Sequence, residues 1–402
     1  MPKDKTYLLT INGGSSSIKF TLYNVTESLT SILSGKLAGL GLPVAKLRVT
    51  NSIQAEASAV DIKADNYQQA VAVLIDWFYK HIDISSVKAI GHRIVHGGHQ
   101  YKNPQWVTKQ LLKHLSAITP LDPQHLPGEI QLIEAFDQHF PQLKQMVCFD
   151  TEFHQNLPTV AKLLPIPRQY YEKGIYRYGF HGLSYRYLMQ VLQQQDAEKA
   201  NQDKMILAHL GNGASMTAVT NGQSIDTTMA MTPAAGLVMG TRSGDLDPGL
   251  FGVLNRSESM GAEQFETMIN QQSGLLGIST TTSDMQQLLE QRTTDTNAED
   301  AIAVFCYQAR KQIGAYAAAL GGLDTLVFSG GIGENVAEIR TQICQQLAFI
   351  GIELDNELNQ QNALRISTLQ SRVTVWVIPT NEELMIAQSM CDLLNLNHQG
   401  EK

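Results

Sequence analysis

Residues 7–23 read Tyr7-Leu8-Leu9-Thr10-Ile11-Asn12-Gly13-Gly14-Ser15-Ser16-Ser17-Ile18-Lys19-Phe20-Thr21-Leu22-Tyr23. An apolar run, a Gly/Ser turn and a second apolar run predict strand, tight turn, strand. The layout returns downstream. Met205 to Leu210 runs into Gly211-Asn212-Gly213-Ala214-Ser215 and then Met216-Thr217-Ala218-Val219. Each copy opens one half of the chain, which predicts a duplicated α/β architecture with a cleft between two lobes. A third Gly-rich segment, Ser329-Gly330-Gly331-Ile332-Gly333-Glu334-Asn335, follows Thr325-Leu326-Val327-Phe328. After it Val336, Ile339, Ile343 and Leu347 fall at helical spacing.

Working outward, Lys88-Ala89-Ile90, Met146-Val147-Cys148-Phe149 and Val373–Ile378 read as buried strands. Ala301–Leu320 reads as a long helix. The polar stretch from Gln193 to Asp203 reads as a helix end and a loop.

The composition narrows the class of protein. With 402 residues the chain is long enough for two or three domains, and 43% hydrophobic residues are ordinary for a globular protein. The net charge of −8 argues against a general nucleic-acid binder. No apolar run approaches the roughly 18–20 residues of a membrane span. The N-terminus does not read as a secretory signal. Cys148, Cys306, Cys344 and Cys391 are scattered, which predicts reduced core thiols in a cytoplasmic protein and no zinc site.

A Gly/Ser turn between strands directs backbone N–H groups into one concavity and so suits phosphate. Lys19 follows the first turn as a mobile cation able to reach a terminal phosphate. Three such segments, each at the carboxyl end of a buried strand, strengthen the reading. None matches a P-loop or a dinucleotide fingerprint.

In chain order, Asn12-Gly13-Gly14-Ser15-Ser16-Ser17-Ile18-Lys19-Phe20, Gly91-His92-Arg93-Ile94-Val95-His96-Gly97-Gly98, Phe149-Asp150-Thr151, Tyr178-Gly179-Phe180-His181-Gly182, His209-Leu210-Gly211-Asn212-Gly213, Met239-Gly240-Thr241-Arg242-Ser243-Gly244-Asp245, Gly330-Gly331-Ile332-Gly333-Glu334-Asn335 and Pro379-Thr380-Asn381-Glu382-Glu383 resemble the signatures of the acetate kinase family. The resemblance spans nearly the whole chain. It implies two lobes of ribonuclease-H-like topology in the sugar kinase and actin-like ATPase superfamily. It also implies direct phosphoryl transfer between ATP and a small carboxylate, a requirement for Mg²⁺ (with Mn²⁺ as a substitute) and a homodimer. Residues 1–152 with about 385–402 are expected to form the lobe on the acyl and Mg²⁺ side. Residues 153–384 are expected to form the lobe for nucleotide binding and dimerisation.

The resemblance also implies roles. Arg93 holds the substrate carboxylate and Arg242 the transferring phosphoryl; a guanidinium matches both in geometry. His181 is the transition-state donor. Asp150 ends a buried strand, where a carboxylate holds Mg²⁺ through water or orients Arg93 or the substrate. It is not a general base, since a carboxylate substrate is already ionised. Asn12 and Glu382 match the Mg²⁺ residues. His209, Leu210, Gly211, Asn212 and Gly213 are expected to cradle the phosphates, with His209 and His125 in supporting roles. Gly331, Ile332, Gly333, Glu334 and Asn335 are expected to open a helix against the nucleotide. A side chain at Gly331 would crowd adenosine, which favours ATP over pyrophosphate as donor.

The chain departs from the family pattern at several points. The acyl pocket is implied to be Val95, Phe180, Pro233 and a Leu, but Gln124 stands at the Leu position. The adenine-site motif ends in Asp284-Met285-Gln286, with Gln286 in place of Arg. Glu152 replaces a small residue, and Leu183 and Tyr185 replace Thr and His. Phosphoryl transfer from ATP to acetate is the leading expectation. The alternatives are a kinase for propionate or another short carboxylate, and a non-catalytic nucleotide-dependent binding protein.

Overall fold

The computed structural model describes residues 6–14, 17–40, 45–51, 56–62 and 66–396. Ser15 and Ser16 of the first Gly/Ser turn lie outside the described residues. The chain divides into two units, residues 1–152 with 381–402, and residues 153–380.

The first unit is built on an eight-stranded sheet: β1 (Tyr7–Gly13), β2 (Ser17–Val25), β3 (Leu29–Ala38), β4 (Ala45–Asn51), β5 (Glu56–Ile62), β6 (Val87–Ile94), β7 (Gln105–Trp106) and β8 (Lys144–Phe149). Their order is β5-β4-β3-β2-β1-β6-β8-β7. The second unit carries β9 (Met205–Leu210), β10 (Ala214–Thr220), β11 (Gln223–Thr227), β12 (Thr325–Ser329) and β13 (Thr374–Val377), in the order β11-β10-β9-β12-β13. In the first sheet, β1 pairs antiparallel with β2 and parallel with β6, which pairs parallel with β8. In the second, β9 pairs antiparallel with β10 and parallel with β12, which pairs parallel with β13. The same five-strand plan is therefore present twice, as the two hairpins predict, and it is the ribonuclease-H-like plan.

Strand alternation decides which side chains reach each face. Leu9 and Ile11 of β1 join Phe20, Leu74, Phe78 and Phe136 in one core cluster. Phe78 meets Phe20 edge-on at 4.8 Å, and each such buried side chain contributes roughly 1.5–3 kcal/mol. Gly35 of β3 is required here, because a Cβ on it would stand 2.2 Å from the Phe20 ring. Thr10 and Asn12 point to the opposite face. There the helix Glu382–Leu394 returns to the first unit. Its Ile386 and Met390 press on β6 where Gly91 has no side chain: a Cβ would lie 2.5 Å from Ile386 and 3.1 Å from Met390.

Three local expectations are corrected. Ala197–Gln202 is a short helix and not a loop, because the Asp196 carboxylate caps it by accepting from the Lys199 N–H. The long helix begins at Thr296, five residues before Ala301, with Asp295 capping its first N–H groups. The third Gly-rich segment is no turn between strands; Gly330–Asn335 is itself a single short helix leaving β12. Gly330 makes that change of direction at φ +76°, where a Cβ would stand 2.7 Å from the Leu210 carbonyl oxygen.

Candidate functional site

In the first unit, the ends of β1, β6 and β8 bring Asn12, Arg93 and Asp150 into one polar cluster with the N-terminus of the helix Glu382–Leu394. Asn381 caps that helix by accepting from the Leu384 N–H, which places Glu382 and Glu383 in its first turn. Asn12 Nδ2 donates to Glu382 Oε2 at 2.9 Å and to Glu383 Oε1 at 3.3 Å. Asn12 thus sits against two carboxylates, with its amide oxygen as a further acceptor. This is a set of hard oxygen donors suited to a small divalent cation that keeps most of its water. Among the described residues no group of three or more His, Cys, Asp or Glu has metal-holding geometry. Lys19 is exposed on β2, directly opposite Asn12.

Arg93 is held from three sides. Its Nε and Nη2 donate to Asp150 Oδ2 at 3.0 and 2.5 Å, and its Nη1 donates to Glu129 Oε1 at 2.9 Å and to the Gly13 carbonyl at 3.1 Å. Both carboxylates are 2% exposed and the guanidinium 14%. Burial opposes the charge of Arg93, but Asp150 and then Glu129 more than offset it and hold the group charged. Burial pushes both acids up, against the opposing pull of Arg93; Glu129 reaches about 8. Asp150 Oδ1 is a buried acceptor with no hydrogen-bond partner. Of its three expected jobs, orienting Arg93 is the one to which its hydrogen bonds correspond.

In the second unit, His181 precedes the helix Gly182–Gln195 with φ +59°, a left-handed conformation unusual for a residue with a side chain. Its ring stacks on His209 at 4.2 Å between centroids. Its Nδ1 is 2.8 Å from Ser215 Oγ, and Nε2 turns toward Gly213, 3.4 Å from the point a Cβ would occupy. Arg242 Nη1 is 3.8 Å from that same point. The Met239–Arg242 loop is tied to the hairpin by the Gly240 N–H, which donates to the Asn212 carbonyl at 2.9 Å. Arg242 Nη1 also donates to the Pro233 carbonyl. His209 Nδ1 pairs with Ser184 Oγ at 2.8 Å, and Ser184 accepts from Thr380 Oγ1 at 2.9 Å.

Several expected phosphate and nucleotide contacts turn out to have structural work. The Gly211 N–H donates to the Gly213 carbonyl at 3.0 Å, and the Gly14 N–H to the Ser17 carbonyl at 2.8 Å. These two amides therefore close their own turns. Leu210 is fully buried in the core. Glu334 Oε1 accepts from the Gly330 and Thr380 N–H groups at 2.8 and 2.9 Å and locks two strand ends together. Asn335 Nδ2 donates back to the Gly331 carbonyl, and Ile332 and Gly333 are buried. Asp284 caps the helix Met285–Gln291, whose first residue, Met285, is buried; Gln286 is exposed and donates to Glu290. Gly331 differs from all of these. It is exposed, and nothing lies within 4 Å of the Cβ it lacks.

The four expected acyl residues divide between the units, Val95 and Gln124 in the first and Phe180 and Pro233 in the second. Val95 and Phe180 are buried, Gln124 and Pro233 half-buried. Asp122 accepts from both the backbone N–H and Nδ1 of His125. Glu152 is half-buried in a short 3₁₀ turn.

The sequence reading missed Glu129, Ser215, Ser184 and Glu383. Glu129 looks in sequence like any first-turn acid of a helix starting Leu126-Pro127-Gly128. Only the fold turns it inward to Arg93. Ser215 is the residue opposite His209 in the β9–β10 register, a relationship visible only once the hairpin is paired.

Residues 7–388 match the acetokinase family. An acetate kinase of Rhodopseudomonas palustris (strain TIE-1) is 42% identical over 95% of this chain and 96% of its own length. One from Rickettsia felis is 38% identical over 97% of this chain and its own full length. Among solved structures, Porphyromonas gingivalis acetate kinase superposes with a TM-score of 0.85 at 34% identity, covering 97% of this chain and 99% of that one. A propionate kinase from Francisella tularensis gives 0.88 at 35%, covering 96% and 98%. With a family match over nearly its whole length and relatives of this identity, the chain belongs to the acetokinase family.

Proposed function

We propose that this protein transfers a phosphoryl group reversibly between ATP and acetate, giving acetyl phosphate and ADP, by direct in-line transfer. The observation that carries this reading is the approach of His181 Nε2 and Arg242 Nη1 to one point over Gly213, at 3.4 and 3.8 Å. A transferring phosphoryl spreads negative charge over its equatorial oxygens, so catalysis consists of positioning donors and cations there. The β9–β10 hairpin and the Met239–Arg242 loop supply both. Arg93 and Asp150 supply the acid side: the guanidinium pairs with the substrate carboxylate, and Asp150 fixes its plane.

Asn12 and Glu382 would hold a Mg²⁺ ion, whose charge would neutralise the nucleotide phosphates. Gly331, open to solvent and without a steric reason of its own for being glycine, supports a nucleotide passing over this segment. A homodimer in the cytoplasm completes the reading. No helix among the described residues is long and apolar enough to cross a membrane.

Gln124, half-buried and without a hydrogen bond among the described residues, favours a second reading in which propionate or another short acid is preferred. A hydroxylamine trap with Mg·ATP and a panel of acetate, propionate, butyrate, glycolate and lactate decides. Acyl phosphate formed best from acetate supports the proposal, and preference for another acid supports the second reading. Nucleotide binding with no product from any acid would overturn both in favour of a non-catalytic binding protein.

A further inference from the structure

Arg93 has five N–H donors, and four of them are engaged by Asp150, Glu129 and the Gly13 carbonyl. One N–H is left, so a carboxylate substrate that pairs with this guanidinium through two donors must displace a protein acceptor. Asp150 takes two donors, Nε and Nη2, whereas Glu129 takes a single one, Nη1. Glu129 is therefore the acceptor more easily displaced. Its other oxygen accepts from the Val95 N–H at 2.9 Å, so the carboxyl group is held on the same strand end as the expected acyl contact.

The charge balance agrees. One guanidinium faces two buried carboxylates, so an incoming anion meets a cluster that is already over-neutralised. The other ionisable groups acting on Glu129 do not correct this. Asp122, from the loop before its helix, adds negative charge, and Tyr67, from the helix Tyr67–His81, is a neutral phenol that burial holds protonated. Removing the Glu129 charge restores a neutral Arg93–Asp150 pair and releases one N–H for the substrate.

We propose that Glu129 is a positioning residue that competes with the acid substrate for Arg93, and that the substrate binds tightly only when Glu129 carries a proton. Acid binding then takes up one proton from solvent above the titration of Glu129. Burial pushes that carboxyl up to about 8, so the competition sets in above neutral pH. The inference rests on the reading of Arg93 as the group that pairs with the substrate carboxylate.

The test is the KM for acetate from pH 7 to 9.5 in the native enzyme and in Glu129→Gln, with the KM for ATP as control. In the native enzyme the acetate KM is expected to rise above about pH 8, approaching tenfold per unit, the slope of one proton. In Glu129→Gln the acetate KM is expected to be pH-independent over this range. The native profile needs no variant, so a misfolded substitution does not spoil the test. Arg93→Ala separates the two ideas. If it raises the acetate KM strongly while the native profile is flat, the role of Glu129 is overturned and that of Arg93 stands. If Arg93→Ala leaves the acetate KM unchanged, both fall.

Discussion

Tyr185 Oη lies 2.5 Å from Ser215 Oγ, and Ser215 Oγ lies 2.8 Å from Nδ1 of His181. The phenol is fully buried, and its ring packs 5.6 Å from that of His154. Tyr185, one of the two residues read as departing from the family pattern after His181, thus anchors the His181 ring through a serine. A tyrosine reaches from the helix Gly182–Gln195 to β10 with its body in the core and its hydroxyl on a polar partner.

Tyr185→Phe removes this anchor and keeps the packing. One buried hydrogen bond is worth about 1 kcal/mol. The expected result is a fall in kcat of about fivefold with the KM for ATP changed by less than twofold. Steady-state kinetics in both substrates checks it, and an unchanged kcat would show that Ser215 alone positions the ring.

Arg242→Ala tests the transition-state role directly. Loss of one preorganised donor at developing charge costs about 10²–10³ in rate. We expect kcat to fall by that factor while the Kd for ATP stays within about threefold. A comparable loss in ATP affinity would place Arg242 on the ground-state phosphates instead.

Gly331→Ala separates folding from ligand space. The residue sits in a helical segment with open surroundings, so alanine is sterically free in the protein itself. Replacing helical Gly by Ala stabilises by roughly 0.5–1 kcal/mol. A slightly raised Tm combined with a KM for ATP increased several-fold is the expected pair. A raised Tm with unchanged ATP kinetics would remove the nucleotide from this position.

Stability toward acid depends on buried histidines away from the phosphoryl chemistry. Burial pushes His92, His96 and His154 down to about 4. His92 Nε2 pairs with Gln145, and His154 Nε2 donates to the Phe180 carbonyl. Their folded values lie below the ordinary value of 6.5. The unfolded chain therefore binds more protons below that pH. The stabilisation is present above pH 6.5 and is lost as pH falls through 6.5 toward 4. Stability from urea unfolding is expected to decline between pH 7 and 4.5, the three histidines outweighing the proton that Glu129 holds in the folded state and so leaving a slope below three protons. Gln at His154 is expected to flatten that slope by about one proton, and an unaltered slope would show that His154 does not titrate on unfolding.

The strands, their duplication and most of the polar residues of each unit are legible in the primary structure. Apolar runs of five or six residues ending in Gly, Ser or Asp are local features, and local sterics alone decide that β1–β2 and β9–β10 are hairpins.

What a residue's polar atoms do is not local. Glu334, Asp284 and the Gly211 amide look like ligand contacts in sequence, yet each is satisfied by backbone groups brought to it by the fold. Glu129 looks like a solvated helix acid and is a buried partner of Arg93, 36 residues away in sequence. Burial makes this distinction, because a buried polar atom must find a partner and the chain path decides which one it meets. The amino-acid order by itself determined the doubled sheet and marked the cations expected at the phosphates. Only the tertiary structure decided which of them have donors left for a ligand.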